Sequence, residues 1–348
     1  MSHTDSSRIN IIFRRIGLFT CSSVFLLFLL GALVRATGSG MGCPDWPKCF
    51  GLYAPPTCEC QLPKNYEQVF QEKRHKKVAK FLKTLRTFGL NEKADLIEKD
   101  KNLYIQEKFD PTKAWIEYIN RLFGVLAGLF AVIFIALSFL NKSLKKTRLW
   151  VSMGFIMLIL NAWLGSIVVT TNLLPGIVSL HFLLSFLCLF GFINAIQKAS
   201  PILKIHTLDN GKVWFWLWIV IFAEVILGTW SREQVDMLRA NSSLFLNGNS
   251  NEVLNYMGMD WLFAIHRYVP IIILFFTVVK YYKSRDIALL FKNHWFWIAL
   301  FCAAQILLGV IHIVYVVPKW TQISHVVLGS GLLTYSFLVW LSFKKEKI

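Results

Sequence analysis

Four polar side chains stand out in an otherwise apolar chain: His181, His266, His325 and Glu117. Each falls near the start of a hydrophobic run, where an ionisable group costs roughly 2.5–3.5 kcal/mol at mid-membrane and so calls for a functional reason. All four, with Asn120 one turn beyond Glu117, sit a few residues inside runs that enter from the same face, so they share one shallow depth. Scattered, merely hydrogen-bonded core residues have no reason to share a depth; ligands of one class of cofactor do. Two histidines on facing helices at equal depth suit zinc, copper or haem. Zinc and copper sites usually want a third or fourth ligand close by, and none is evident in the C-terminal half. Haem needs only axial ligands and fits between the helices of a four-helix bundle. Arg35, Arg121, Arg232 and Arg267 lie at the outer ends of the same runs. There a guanidinium fork can pair with a propionate or simply snorkel to the interface. His312 also lies in the outer half of its run, but in the C-terminal half, and is read as a packing residue or a support behind a ligand.

The elements that position these residues are membrane helices. The sequence has 348 residues, of which 55% are hydrophobic and 16% charged, and a mean hydropathy of +0.51; a soluble domain of this size rarely looks so. Runs long enough to cross about 30 Å of hydrocarbon occur at 16–34, 119–140, 149–170, 177–196, 213–230, 262–280, 294–317 and 323–343, which predicts an all-α integral membrane protein of eight spans. The formal charge of +17 is a topology signal rather than a nucleic-acid footprint. The N-terminal tail, the 141–148, 197–212 and 280–292 loops and the C-terminal tail together hold 17 of the 37 basic residues, whereas 171–176, 231–261 and 318–322 hold only Arg232, Arg239 and Lys319. The positive-inside rule then makes both termini cytoplasmic, in a bacterial plasma membrane; the basic 35–114 loop is long enough to translocate regardless of charge. The first run, without a persuasive cleavage site, is read as a retained helix.

An internal repeat organises the spans. Gly165 precedes His181 by sixteen residues, and Gly309 precedes His325 by sixteen, with Pro175 and Pro318 between. Arg121 follows Asn120 as Arg267 follows His266, and Leu30-Gly31 before Arg35 is echoed by Leu227-Gly228 before Arg232. These matches predict two pseudo-symmetric four-helix bundles, residues 1–196 and 197–348, related by an axis along the membrane normal. The segment 55–112 reads as an insertion in the first outer loop. Its apolar positions Val69, Phe70, Val78, Phe81, Leu82 and Leu85 fit one or two short amphipathic helices, either a solvated charged domain or a docking surface for an acidic partner. Cys21, Cys188 and Cys302 lie inside runs as small buried hydrophobes. Cys43, Cys49, Cys58 and Cys60 share the outer loop, where oxidation is expected but three pairings are open. Cys58 and Cys60 are read as too close to pair with each other.

The run Gly31-Ala32-Leu33-Val34-Arg35-Ala36-Thr37-Gly38-Ser39-Gly40-Met41-Gly42-Cys43-Pro44-Asp45-Trp46-Pro47-Lys48-Cys49-Phe50-Gly51 resembles the first-helix and first-loop signature of haem A synthases. Glu117 to Arg121 is similar to that family's Glu-x-x-His-Arg motif on the second span, and spans four, six and eight each carry the family's histidine. The resemblance implies a membrane oxidoreductase that converts the C8 methyl of haem O to a formyl group by successive hydroxylations and loss of water. It implies a haem b ligated by His266 and His325, with Arg232 and Arg267 toward its propionates. It also implies a substrate-haem site of His181, Asn120, Arg35 and Arg121, with Glu117 as catalytic carboxylate, and a Cys43–Cys49 disulfide. Haem O and haem A are the implied small-molecule partners, with haem O synthase, cytochrome oxidase assembly factors and lipid around the chain. One position departs from the pattern: Asn120 stands where the family has a histidine. Asn is a poor iron ligand, so a single axial ligand, His181, is expected there. Two other readings are a b-type cytochrome passing electrons between quinol and another carrier and a non-catalytic haem carrier; a pure carrier has little reason to bury Glu117 one turn from the ligand position.

Overall fold

Among the described residues, eight helices are long and apolar enough to cross a membrane. The structure is a computed structural model that describes residues 3–99, 104, 108–171, 176–200, 202, 210–241, 260–284, 293–315 and 317–344. The spans are α1 (His3–Thr37), α4 (Pro111–Leu140), α5 (Arg148–Thr170), α6 (Ile177–Ala199), α7 (Gly211–Asn241), α8 (Trp261–Lys283), α9 (His294–Val314) and α10 (Lys319–Lys344). Two further helices, α2 (Tyr66–Thr87) and α3 (Asn91–Glu98), lie in the first outer loop. Pro175 of the repeat and residues 242–259 lie outside the described residues, as does the side chain of Arg239.

Local chemistry sets the helix ends. Gly38, at φ 69°, closes α1: its N–H returns to Arg35 O and that of Ser39 to Val34 O, the paired bonds of a glycine-terminated helix. Asp110 caps α4 by accepting from Lys113 N ahead of Pro111, and Asp260 caps α8 by accepting from Leu262 N and Phe263 N. α7 runs eleven residues past the expected 230, to Asn241, because its charged outer end leaves the apolar run but keeps good helix formers. α9 stops at Val314 rather than 317; Pro318 disfavours a helical residue before it, and Val317 sits at φ 58°.

The spans pack as two closed rings. α1 touches α4 and α6 while α5 bridges α4 and α6; likewise α7 touches α8 and α10 while α9 bridges α8 and α10. α1 and α6 meet α10, and α6 also meets α7, across the seam. One apolar cluster runs through both rings, with Phe13, Phe134, Phe186 and Phe190 from the first and Trp214, Trp295 and Phe337 from the second. The outward faces stay apolar, as at Phe19, Leu129, Ile272 and Phe275, which is what lipid requires of a helix whose backbone bonds are satisfied internally. Gly154 and Gly191 let α5 and α6 approach to backbone contact, since a Cβ on Gly191 would lie 2.9 Å from Gly154 Cα.

The outer loop forms its own small core. Cys43 and Cys49 are joined as a disulfide, and Phe50 packs edge-on to Tyr66, Phe70 and Phe109. Of the expected apolar positions in the insertion, Phe70, Val78 and Leu82 are buried. They divide between this core and a second one with Ala94. Among its described residues the insertion contains two α-helices, α2, longer than expected at 22 residues, and the short α3 of eight. Cys58 and Cys60 are paired with each other, against the expectation from their spacing: the extended Cys58 before a single 3-10 turn sets their Cα atoms 5.3 Å apart, inside the span a disulfide bridges.

Candidate functional site

The three histidines are the fifth residue of α6, the sixth of α8 and the seventh of α10, and Glu117 is the seventh of α4. At 1.5 Å per residue all lie within about 10 Å of their helix starts. α8 and α10 sit diagonally across their ring, and there His266 and His325 face each other with ring centroids 6.2 Å apart. His312, from α9, adds a third ring 5.1 Å from that of His325.

The pair fits a haem iron between two imidazoles. Two metal–nitrogen bonds of about 2 Å, each extended by about 1 Å to a ring centre, require roughly 6 Å between centroids. The surroundings also make room: a Cβ on Gly228 would lie 2.7 Å from Cε1 of His266, so only glycine clears that ring. Nδ1 of His325 is buried without a hydrogen-bond partner among the described residues. Among the described residues no group of three or more His, Cys, Asp or Glu that could hold a metal ion is found.

Glu117 and Arg121 are built into the loop above the N-terminal ring. Cys43 N donates to Glu117 Oε2 at 2.9 Å, and Glu117 Oε1 pairs with Arg121 Nη2. Arg121 Nη1 donates to the carbonyls of Asp45 and Lys48 at 2.8 and 2.9 Å, and Nη2 to Cys43 O at 3.3 Å. A guanidinium expected to face a propionate thus has its donors taken by one turn of the disulfide loop. The fit is tight, since a Cβ on Gly42 would lie 2.5 Å from the backbone of Lys113. Asn120 is half-buried one turn further along α4, and Arg35 occupies the last turn of α1. His181 lies diagonally opposite on α6, with its Nδ1 buried and unpartnered, and a Cβ on Gly165 would lie 3.2 Å from its ring. Arg232 on α7 and Arg267 on α8 are half-buried near the outer ends of their helices.

Several positioning residues escaped sequence reasoning. Asn161 donates to Ser185 Oγ, which donates to the carbonyl of His181; Gln305 donates directly to the carbonyl of His325 at 2.8 Å. Both amides stand four residues before the glycines of the repeat, a register that could have flagged them. Glu233 accepts from Gly176 N, Ser179 N and Ser179 Oγ, so a carboxylate of the C-terminal ring caps the helix that carries His181. Such caps are worth about 0.5–2 kcal/mol. Glu224 is buried beside His266, its Oε1 2.6 Å from Nδ1.

The chain is matched along most of its length by the model of a family described as cytochrome oxidase assembly protein, over residues 14–88 and 90–337. It is 24% identical over 351 residues to the haem A synthase of Wolbachia sp. subsp. Brugia malayi, covering 93% of this chain and 96% of that one. It is 22% identical over 229 residues to the haem A synthase of Shewanella oneidensis, covering 64% of this chain and 58% of that relative's length. An eight-span helical chain with paired intramembrane histidines, matched over nearly all its residues, belongs to the cytochrome oxidase assembly protein family, the membrane oxidoreductase family of the haem A synthases.

Proposed function

We propose that this chain is itself a haem A synthase, oxidising the C8 methyl of haem O to a formyl group by successive hydroxylations and loss of water. The observation that carries the reading is the facing pair His266 and His325 at 6.2 Å in a chain matched by the family model along its length. His266 and His325 would hold haem b, with Arg232 and Arg267 toward its carboxylates; bound there, it supplies one-electron transfer. The N-terminal ring would hold haem O, with His181 as its single protein ligand, Asn120 beside it and Arg35 toward a propionate. Orientation of the reacting edge is the main contribution such a pocket makes. Glu117, buried one turn before Asn120, would hold and pass the proton at its carboxylate oxygens. The bonds from Cys43 and Arg121 favour a second reading of Glu117, in which it fixes the loop that roofs the site. The charge asymmetry of the loops supports cytoplasmic termini in a bacterial plasma membrane, beside haem O synthase and cytochrome oxidase assembly factors.

Pigment extracted from cells that express the chain and supply haem O decides the reading. Haem A, or hydroxylated haem O, is expected; haem O recovered unchanged beside a bound haem B would leave an electron carrier or a haem carrier instead. Glu117→Gln separates the two roles of that residue. It should retain haem b and the loop disulfide while haem O or its hydroxylated intermediate accumulates; wild-type output of haem A would reduce Glu117 to loop support.

A further inference from the structure

We propose that Glu224 is a positioning residue of the C-terminal site: its carboxylate holds the ring of His266 through Nδ1 and sets how strongly that imidazole donates to a haem iron. The inference rests on the reading of His266 as an axial ligand.

Glu224 lies within the apolar span of α7 and is buried, where a carboxylate without a polar or charged partner is costly. Its Oε1 is 2.6 Å from Nδ1 of His266. The contact does not have the geometry of a hydrogen bond, so it acts as an electrostatic one. Gly228 follows one turn later on the same face of α7, and a Cβ there would strike Cε1 of the same ring. Two positions four apart on one helix, Glu224 at Nδ1 and Gly228 along the Cε1–Nε2 edge, therefore bound the imidazole on its α7 side. Carboxylates placed behind ligating histidines fix the tautomer and raise ligand basicity.

The N-terminal ring supplies the contrast. In the register that aligns Gly31 with Gly228 and Arg35 with Arg232, the position of Glu224 is Leu27, and that of His266 is Asn120. Carboxylate and imidazole are lost together, as they should be if one exists to serve the other. His325, the opposite ring, has no hydrogen-bond partner at Nδ1 among the described residues, so of the two imidazoles it is that of His266 that a carboxylate meets.

The test uses the purified full chain with its haem, comparing Glu224→Gln and Glu224→Leu with wild type by haem content, low-spin electron paramagnetic resonance and reductive titration. Removing the negative charge favours the reduced iron. Glu224→Gln should keep its haem and shift the reduction equilibrium toward the reduced form by tenfold or more, about 59 mV for one electron. Glu224→Leu should shift it likewise and also change the low-spin signal as the ring loses its orientation. A wild-type midpoint in both variants, whether haem content holds or falls, would overturn the proposal and leave Glu224 a structural residue. A wild-type chain without low-spin haem would instead overturn the reading of His266, a failure visible before any variant is made.

Discussion

The two four-helix rings pack in the same order around their histidines, yet they hold those residues by different means. In the C-terminal ring His266 meets Glu224 and Gly228, His325 stands 6.2 Å away, and Gln305 reaches the His325 carbonyl directly. In the N-terminal ring the matching positions are Asn120, Leu27 and Gly31, and a Cβ on Gly31 would meet nothing within 4 Å. Asn161, one methylene shorter than Gln305, needs Ser185 to relay its bond, at a place where the other ring has Gly329. In the C-terminal ring the His266 imidazole is thus bounded by Glu224 and Gly228, whereas the N-terminal ring lacks both contacts and is roofed by a disulfide loop bound to Glu117 and Arg121. Under the proposed function, the first arrangement would suit a resident group and the second a molecule that enters, reacts and leaves.

The largest break in this comparison should come from the axial histidines. His266→Ala or His325→Ala should abolish the low-spin haem b spectrum, whereas His181→Ala should leave that spectrum intact and stop haem A formation; loss of the same signal in all three would make the rings equivalent. Next in size is the glycine contrast. Gly228→Ala should lower haem b content severalfold, because the new methyl overlaps the His266 ring, whereas Gly31→Ala should leave haem b content unchanged. Equal losses in pigment per mole of protein would show that the contrast between these two glycines is a misreading. Asn120→His tests whether the rings can be made alike. It should convert bound haem O toward a six-coordinate low-spin form, seen by resonance Raman, without being required for turnover. The smallest effect should come from the amides. Gln305→Leu removes one neutral hydrogen bond, worth about 0.5–1.5 kcal/mol, and should lower the thermal midpoint slightly; Asn161→Leu should do so by a similar amount or less, because Ser185 keeps its bond to His181 O.

Hydrophobic run length made eight spans legible without any structure, because crossing hydrocarbon imposes a length and an internal backbone economy that few other environments demand. Shared depth and repeat spacing singled out His181, His266, His325 and Glu117 for the same reason: polar groups are rare there, so their pattern stands above the background. The bulk of the insertion's apolar face was legible too, although its division between two small cores was not.

Tertiary structure decided which polar groups meet. Glu224 and His266 are 42 residues apart on helices that turn one particular face to each other, and Glu233 reaches Ser179 across the seam between the rings. Neither pairing has a local signature, since a lone glutamate in an apolar run reads alike whether it faces a ring, a helix end or a lipid-side arginine. Arg121 shows the converse. Its place beside Asn120 suggested a propionate, but the backbone of the Cys43–Cys49 loop folds down onto α4 and offers it carbonyls at 2.8 and 2.9 Å. Sequence fixes the type and depth of a membrane-buried charge because solvation is a one-dimensional property of the span; its partner depends on helix rotation and loop closure, which only the packing of all eight helices determines.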